Sequence, residues 1–268
     1  MKRSILLAAS GLILAIQIPV VAQMSKPAGN SADNAMTRVF GTNLNFSATM
    51  EMRVKLSPSN NDISQSGKIY FAGGNSRTEL DLTKMTSSHM PPHTAEQMKA
   101  VGMDQLVTIT RNDTRKVYMI YPGLESYAQL TPDDAHATNN SQIETTELGK
   151  EVLDGHPCVK YKYQIQDGVK PGEALTMTAW RATDLKNYPV KIELVSTGPQ
   201  GTTTTTLHFL NINTQPPVAN LFNPPAGYRV YNDLKSMIQT EMMKKMSHPS
   251  LNDMPPGQPA AAMPAGHP

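Results

Sequence analysis

The chain has 268 residues, of which 24 are Lys or Arg, 22 are Asp or Glu, 17 are Met and one is Cys, and its formal net charge is +2. This balance, without a run of basic residues of the kind that follows phosphates, argues against nucleic acid as a partner. The single cysteine, Cys158, excludes an intramolecular disulfide, so burial of apolar side chains has to hold the core.

The N-terminus has the three regions of a secretory signal peptide. Lys2 and Arg3 precede an apolar run at residues 5–16, and the small residues that follow favour cleavage after Ala22. The run is shorter than the roughly 20 residues that a membrane span needs. We therefore predict a signal peptide at residues 1–22 and a periplasmic or secreted mature chain without a transmembrane segment.

A flexible polar lead-in at residues 23–40, with a short helix near its end, precedes the first predicted strand at residues 45–56. In this strand every second side chain is apolar, namely Phe46, Ala48, Met50, Met52, Val54 and Leu56. A period of two has no helical interpretation, because at 100° per residue the same side chains would scatter around the helix axis. We predict a long β-strand with one apolar face, and we expect its polar face, with Glu51, Arg53 and Lys55, to meet solvent.

Ten further strands follow, separated by turn-forming residues such as Gly73-Gly74-Asn75 and Asp154-Gly155. We predict them at residues 63–72, 77–82, 106–111, 115–121, 125–130, 144–153, 159–165, 174–182, 188–196 and 202–212. Together with the first strand they indicate an antiparallel meander of about eleven strands in a single domain at residues 41–246.

Two methionine-rich segments interrupt or follow this pattern. Residues 83–103 combine a loop with a helix-forming stretch at 94–100, for which Thr94 is a candidate cap. A sheet with one apolar face needs a cover, and only this insert and the C-terminal helix have the composition to supply it. Thioether side chains repack readily, so a lid made of them can admit a flexible apolar ligand and close again.

The C-terminal helix follows a proline-rich link at residues 215–225. Asn232 or Asp233 can cap it, and apolar residues recur at spacings of four, namely Leu234, Ile238, Met242 and Met246, with Met237 alongside them. We expect this helix to lie on the sheet. Residues 247–268 are rich in Pro, Gly, Ala and Met and are predicted to be disordered.

The sequence shows no motif of an enzyme. It has no glycine-serine elbow, no Ser-His-Asp order, no zinc-type His pair on a clear helix and no Gly-rich nucleotide fingerprint. Cys158 lies in an alternating strand and is interpreted as a half-buried strand thiol rather than a nucleophile. We therefore predict a non-enzymatic protein without a cofactor or a metal.

A minor alternative is a Cu(I) site, because thioether and imidazole ligands suit this ion in an oxidising compartment. The candidate ligands are Met85, His89, Met90, His93, Met98, Met103, Met242, Met243, Met246 and His248. The competing interpretation is that these methionines fill irregular apolar space beneath helices.

Three motifs in the second half of the chain resemble a known family. They lie at residues 148–161, at Trp180 with residues 188–193, and at residues 221–228. These motifs are similar to the bacterial domain of unknown function 4412 and, more distantly, to the lipoprotein-carrier (LolA-like) superfamily. The resemblance implies a strongly curved antiparallel sheet, a half-open β-barrel of about eleven strands, whose concave face is closed by helices around a hydrophobic cavity. In carriers of that superfamily the cavity takes the acyl chains of lipoproteins.

We expect a binding protein for an apolar ligand, a lipid or an acyl chain, held between sheet and helical lid. The predicted lining is Phe46, Met50, Met52 and Val54 on the sheet side and Met90, Met98, Ile238 and Met242 on the lid side. The alternative is an envelope protein-interaction or sensor module without a bound ligand, in which a surface or the C-terminal tail recognises another protein.

Overall fold

The computed structural model of the protein describes residues 32–59, 61–131, 143–165, 174–199 and 201–247. These residues form three α-helices, α1 (Ala32–Phe40), α2 (Thr94–Val101) and α3 (Leu234–Ser247). They also form thirteen strands: β1 (Phe46–Ser57), β2 (Asn61–Ala72), β3 (Asn75–Asp81), β4 (Thr86–Ser87), β5 (Gln105–Arg111), β6 (Lys116–Tyr121), β7 (Ser126–Leu130), β8 (Ile143–Leu153), β9 (His156–Ile165), β10 (Ala174–Ala182), β11 (Tyr188–Gly198), β12 (Gly201–Asn213) and β13 (Arg229–Tyr231).

All thirteen strands belong to one sheet, and the first strand lies in its middle. β1 pairs antiparallel with β2 on one side and with β12 on the other. From there the sheet continues through β3, β5, β6, β7 and β13 in one direction and through β11, β10, β9 and β8 in the other. Among the described strands only β13 joins in parallel, beside β7, and β4 pairs with β2 next to the end of β3.

The prediction of a mainly β protein with one large antiparallel sheet and few helices is confirmed. The strand count of eleven is wrong for the described residues, which contain thirteen. The two additional strands, β4 and β13, have two and three residues, so they are too short to show an alternation of apolar and polar side chains.

Two predicted hairpin turns adopt the geometry that their residues favour. Asp154 and Gly155, between β8 and β9, have φ values of 53° and 82°. Gly73 and Gly74, between β2 and β3, have φ values of 59° and 82°. Positive φ at both central residues matches the twist of the flanking strands, and it explains why Gly and Asp occupy these positions.

The main core lies on one face of the sheet, which we call the inner face. In the β1–β2 register, Phe46 faces Phe71, Ala48 faces Ile69 and Met50 faces Gly67. All three helices pack on this face, because the same buried cluster contains Met36 of α1, Met98 of α2 and Met237 of α3. The short helix predicted near the end of the lead-in is present as α1, and its Met36 is part of the core.

The opposite, outer face is polar along β1, where Glu51, Arg53 and Lys55 are exposed. Two small buried clusters interrupt it. One forms where the 3-10 turn Ala219–Phe222 covers β5 and β6, and the other surrounds Cys158 and Trp180. The outer face is thus mostly solvated, as the alternation in β1 predicted.

Candidate functional site

The inner face of β1 changes character along the strand. Phe46 is fully buried, with its ring centroid 5.2 Å from that of Phe71 and 5.6 Å from that of Phe209. Met50 is 2% exposed, but the next two apolar residues on this face, Met52 and Val54, are only half-buried. One end of the inner face is therefore a filled core, whereas the other end leaves apolar side chains partly uncovered.

Residues 82–104, which we call the cover segment, lie beside this less buried end. β4 pairs with Ile63 and Ser64 of β2, and Ile63 in turn faces Val54 of β1. The backbone N–H of Leu82 donates to the carbonyl of Asp104 at 2.7 Å, so the two ends of the segment are joined. The cover segment is a closed loop anchored next to the half-buried end of β1.

The methionines of the cover segment differ in burial. Met85, Met98 and Met103 are buried, and Met90 is half-buried against the main core. The predicted cap of α2 is wrong, because His93, in the left-handed region at φ 63°, is the residue before the helix. The hydroxyl of Thr94 donates instead to the carbonyl of Pro91 at 2.6 Å.

Helix α3 begins at the predicted cap but turns a different stripe to the sheet. The Asp233 carboxylate accepts from the backbone N–H of Ser236 at 2.7 Å, and this bond lowers the pKa of Asp233. The most buried residues of the helix are Leu234, Met237 and Glu241, at spacings of three and four. Ile238 packs against the core at the edge of this stripe, and Met242 is half-buried.

Glu241 is a buried carboxylate at the contact between α3 and the end of the sheet. Its Oε1 atom accepts from Arg229 Nη1 at 2.6 Å, from Lys244 Nζ at 2.8 Å and from the hydroxyls of Tyr231 and Ser126 at 2.5 and 3.2 Å. Burial, followed by the hydrogen bond to Glu241, raises the pKa of the Tyr231 phenol. These bonds hold α3 against β7 and β13, and a buried charge is tolerated only with such partners.

Gln65 is a buried polar residue of β2, several strands away from Glu241 in the sheet. It faces Met52 across the β1–β2 register, on the apolar inner face, and is 3% exposed. Its Nε2 group donates to the carbonyls of Ser66 and Asp81, at 2.7 and 2.9 Å. Its Oε1 atom is buried and has no hydrogen-bond partner among the described residues. Gln65 thus adds one unused acceptor to an otherwise apolar surface.

The structure brings most of the predicted lining into one core. Phe46, Met50 and Met98 are buried members of the main cluster, and four further residues pack against it, namely Met52, Val54, Met90 and Ile238. Met242 is half-buried and is not a member of that cluster. Whether these side chains contact a ligand stays a prediction.

Two buried polar residues, Gln65 of β2 and Glu241 of α3, were missed. Gln65 occupies an inner position in a strand whose neighbours include Ser64 and Ser66, so its side of the sheet is not obvious from polarity. Glu241 lies one residue before Met242, and the methionine spacing pointed to the wrong stripe of the helix. The available signal was the spacing of Leu234, Met237 and Glu241 along the helix. Choosing this stripe as the buried face would have required placing a carboxylate in the core.

The residues of the alternative copper site differ in their exposure. The thioethers of Met85, Met98 and Met103 are buried, whereas His89 and His93 are exposed. Within the described ranges, no group of three or more His, Cys, Asp or Glu side chains is arranged to hold a metal ion. The imidazoles of His89 and His93 are therefore in contact with solvent, whereas the thioethers of Met85, Met98 and Met103 lie in the core.

Two clefts are not lined by the methionines of the cover segment. The larger, of about 630 Å³, is lined by polar and apolar groups, among them Glu51, Arg53, Lys55, Lys191, Glu193 and His208, together with Met52, Gln65 and Lys84. A smaller cleft of about 370 Å³ lies beside β8 and β9 and is lined by Val152, Pro157 and Cys158, among others. The larger cleft, with charges of both signs, does not suit an apolar chain.

The family model of a domain of unknown function, DUF4412, matches residues 46–207, which is more than half of the chain. The chain belongs to this family. The family membership expected from the three sequence motifs is therefore confirmed. A search among curated proteins finds no match.

Several solved structures are similar to this DUF4412 chain. An uncharacterized conserved protein from Thermus thermophilus is 13% identical, with 75% of this chain and 99% of that one covered, at a TM-score of 0.42. A LolA superfamily protein from Nitrosomonas europaea is 8% identical, with 67% and 90% covered, at 0.32. The lipoprotein LppX from Mycobacterium tuberculosis is 12% identical, with 69% and 97% covered, at 0.35.

No helix in the described part of the chain is long and apolar enough to cross a membrane. The predicted signal peptide at residues 1–22 lies outside the described residues, as does residue 248 onward of the predicted tail.

Proposed function

We propose that this chain is a non-enzymatic binding protein for an apolar ligand, a lipid or an acyl chain. In this proposal the sheet forms a half-open barrel, and the ligand lies on its inner face beneath the cover segment and α3. The chain acts in the periplasm or outside the cell, where its signal peptide would direct it. Binding needs neither a cofactor nor a metal.

The observation that carries the proposal is the half-buried end of the inner face. Met52 and Val54 lie on a central strand that is paired on both sides, so their partial exposure is not the fraying of a sheet edge. Met90 of the neighbouring cover segment is half-buried as well. An apolar chain placed against these three side chains would remove apolar surface from water, at about 25 cal/mol for each Å².

The flexible thioethers of this region support the same conclusion. Met52 and Met90 are unbranched and can change rotamer to follow the shape of a chain-like ligand. The buried methionines, such as Met98, would anchor the cover segment while its half-buried part adapts. Such a surface favours binding of a flexible molecule over recognition of a rigid one.

The test is native mass spectrometry of protein purified from a lipid-containing host, together with uptake of a fluorescent fatty acid. We expect a co-purifying apolar molecule and saturable uptake. Adjacent residues of β1 supply a matched pair of variants. Val54→Gln, on the inner face, should weaken uptake about tenfold, because it places an unpaired amide against the chain. Lys55→Gln, on the outer face, should bind like the wild type.

Two results would contradict the proposal. One is repeated purification without any bound molecule combined with no uptake of the fatty acid. The other is an equal loss of uptake in Val54→Gln and Lys55→Gln, which would mean that the probe does not distinguish the faces. Circular dichroism of both variants checks that the fold is retained.

A second candidate, a protein-interaction or sensor module, is favoured by β8. This strand pairs only with β9 among the described strands and is exposed over most of its length. Leu148 and Val152 are 49% and 71% exposed, and the 370 Å³ cleft adjoins Val152. An edge strand with exposed apolar side chains can pair with a strand of another protein. Cross-linking in cells should then give one stable partner, whose capture is lost in Val152→Lys but kept in Val54→Gln.

A further inference from the structure

The unused acceptor of Gln65 bears on the chemistry of the ligand. The amide nitrogen is committed, because it donates to the carbonyls of Asp81 and Ser66. Exchanging the amide oxygen and nitrogen would place an acceptor against two carbonyl oxygens, so these bonds fix the orientation of the side chain. The oxygen is then left buried without a donor among the described residues.

A buried acceptor without a partner destabilises the folded state, and folded proteins contain few of them. A buried acceptor of this kind therefore needs a physical reason, and one such reason is a hydrogen-bond donor that binds to it. Around Gln65 the inner face is apolar, with Met52 opposite and Ile63 two residues away on the same strand. None of these side chains can donate a hydrogen bond.

The position of Gln65 is where a ligand of the proposed kind would pass. The β2–β3 ladder ends at Gly67, and the β2–β4 ladder covers only Ile63 and Ser64, so Gln65 lies in the gap between them. Its amide nitrogen is bonded to the carbonyl of Asp81, the residue before the cover segment. The amide group therefore lies where the cover segment leaves the sheet, beside the half-buried Met52.

We propose that the ligand carries a hydrogen-bond donor, a hydroxyl or an amide N–H, attached to its apolar chain, and that this donor binds Gln65 Oε1. This inference rests on the proposed function. It narrows the ligand class from any apolar molecule to a chain with a neutral polar head, such as a fatty alcohol, an acylglycerol or an acyl amide. Gln65 is then a specificity residue, which selects such ligands over plain hydrocarbons and esters.

The experiment compares two ligands of equal chain length, dodecanol and its methyl ether, in wild type and Gln65→Met. The ether keeps the oxygen but has no donor, and methionine keeps the length of the side chain but has no strong acceptor. Dissociation constants are measured by displacement of the fluorescent fatty acid. The ratio of ether to alcohol constants should be about tenfold larger in wild type than in the variant. Comparing ratios removes the difference in hydrophobicity between the two ligands.

Each outcome has a distinct meaning. A tenfold difference between the two ratios supports the donor. Equal ratios in the wild type and the variant overturn the proposed ligand donor but leave the proposed apolar site unaffected. A bound water, rather than the ligand, would then donate to Gln65 Oε1. Binding of neither ligand to the wild type overturns the proposed function and this inference together. If Gln65→Met does not fold, as judged by circular dichroism, Gln65→Leu replaces it in the same comparison.

Discussion

The variant Glu241→Gln tests whether the buried carboxylate holds α3 on the sheet. The substitution keeps the shape of the side chain and an acceptor for Tyr231 and Ser126, but it removes the charge. Arg229 and Lys244 are 54% and 43% exposed, so solvent screens them and each ion pair contributes up to about 1 kcal/mol. The two hydroxyl bonds lose their charge assistance, at about 0.5 kcal/mol each. We expect the free energy of unfolding to fall by about 2 kcal/mol.

The assay is urea unfolding of the wild type and of three variants. Glu241→Ala should cost more than Glu241→Gln, about 3–4 kcal/mol, because it also leaves the buried hydroxyls without an acceptor. Glu147→Gln, on the exposed strand β8, is the control and should change little. A second readout is specific to the site: the pKa of Tyr231, raised by burial and by Glu241, should fall in Glu241→Gln. If Glu241→Gln unfolds at the wild-type urea concentration and the tyrosine titration is unchanged, the carboxylate does not hold the helix.

Three further predictions follow from burial. In urea unfolding, Phe46→Ala should lower the free energy of unfolding by about 3–5 kcal/mol, whereas Val54→Ala should lower it by less than about 1 kcal/mol. Similar losses for the two variants would contradict the difference in packing between the two ends of the inner face. Burial raises the pKa of Tyr121 from 10.0 to about 12, so the phenol ionises at lower pH in the unfolded chain than in the folded one. The free energy of unfolding should therefore fall by about 2–3 kcal/mol between pH 10 and 12. Tyr121→Phe should not show this part of the loss of stability at alkaline pH. Cys158 is 2% exposed and burial raises its pKa, so a thiol reagent should modify it slowly until denaturant is added, and fast labelling of the native protein would contradict the buried position.

Strands such as β1 could be predicted because a half-buried sheet imposes a period of two on them, whereas β4 and β13 are too short to show it. The order of the strands could not, because alternation says which face a residue takes and not which strand lies beside it. The pairing of β1 with β12 joins residues such as Met50 and Phe209, far apart in the sequence. That pairing places the first strand at the centre, and nothing local to residues 45–56 indicates it.

The sequence indicated the apolar side chains of the candidate site but not its buried polar side chains, for a physical reason. Methionine and valine at alternating positions report a buried face whatever their neighbours are. Gln65 and Glu241 are buried only because particular carbonyls, hydroxyls and cations meet them in the fold. Some of these partners come from distant segments, as Ser126 does for Glu241, so a single sequence shows the polar residue without all the contacts that make its burial tolerable.

The place of β1 in the sheet decides how the exposure of its inner face should be interpreted. The filled end is the end that α1 reaches, because the helix finishes at Phe40 and the chain enters β1 at Phe46 through the 3-10 turn Gly41–Asn43. The other end lies beside β4 of the cover segment, in which Met90 is itself half-buried. Met52 and Val54 can therefore lose their exposure in two ways, by closure of the cover segment or by a ligand. The ligand that we propose would, in addition, supply a donor for Gln65 Oε1, which has none among the described residues.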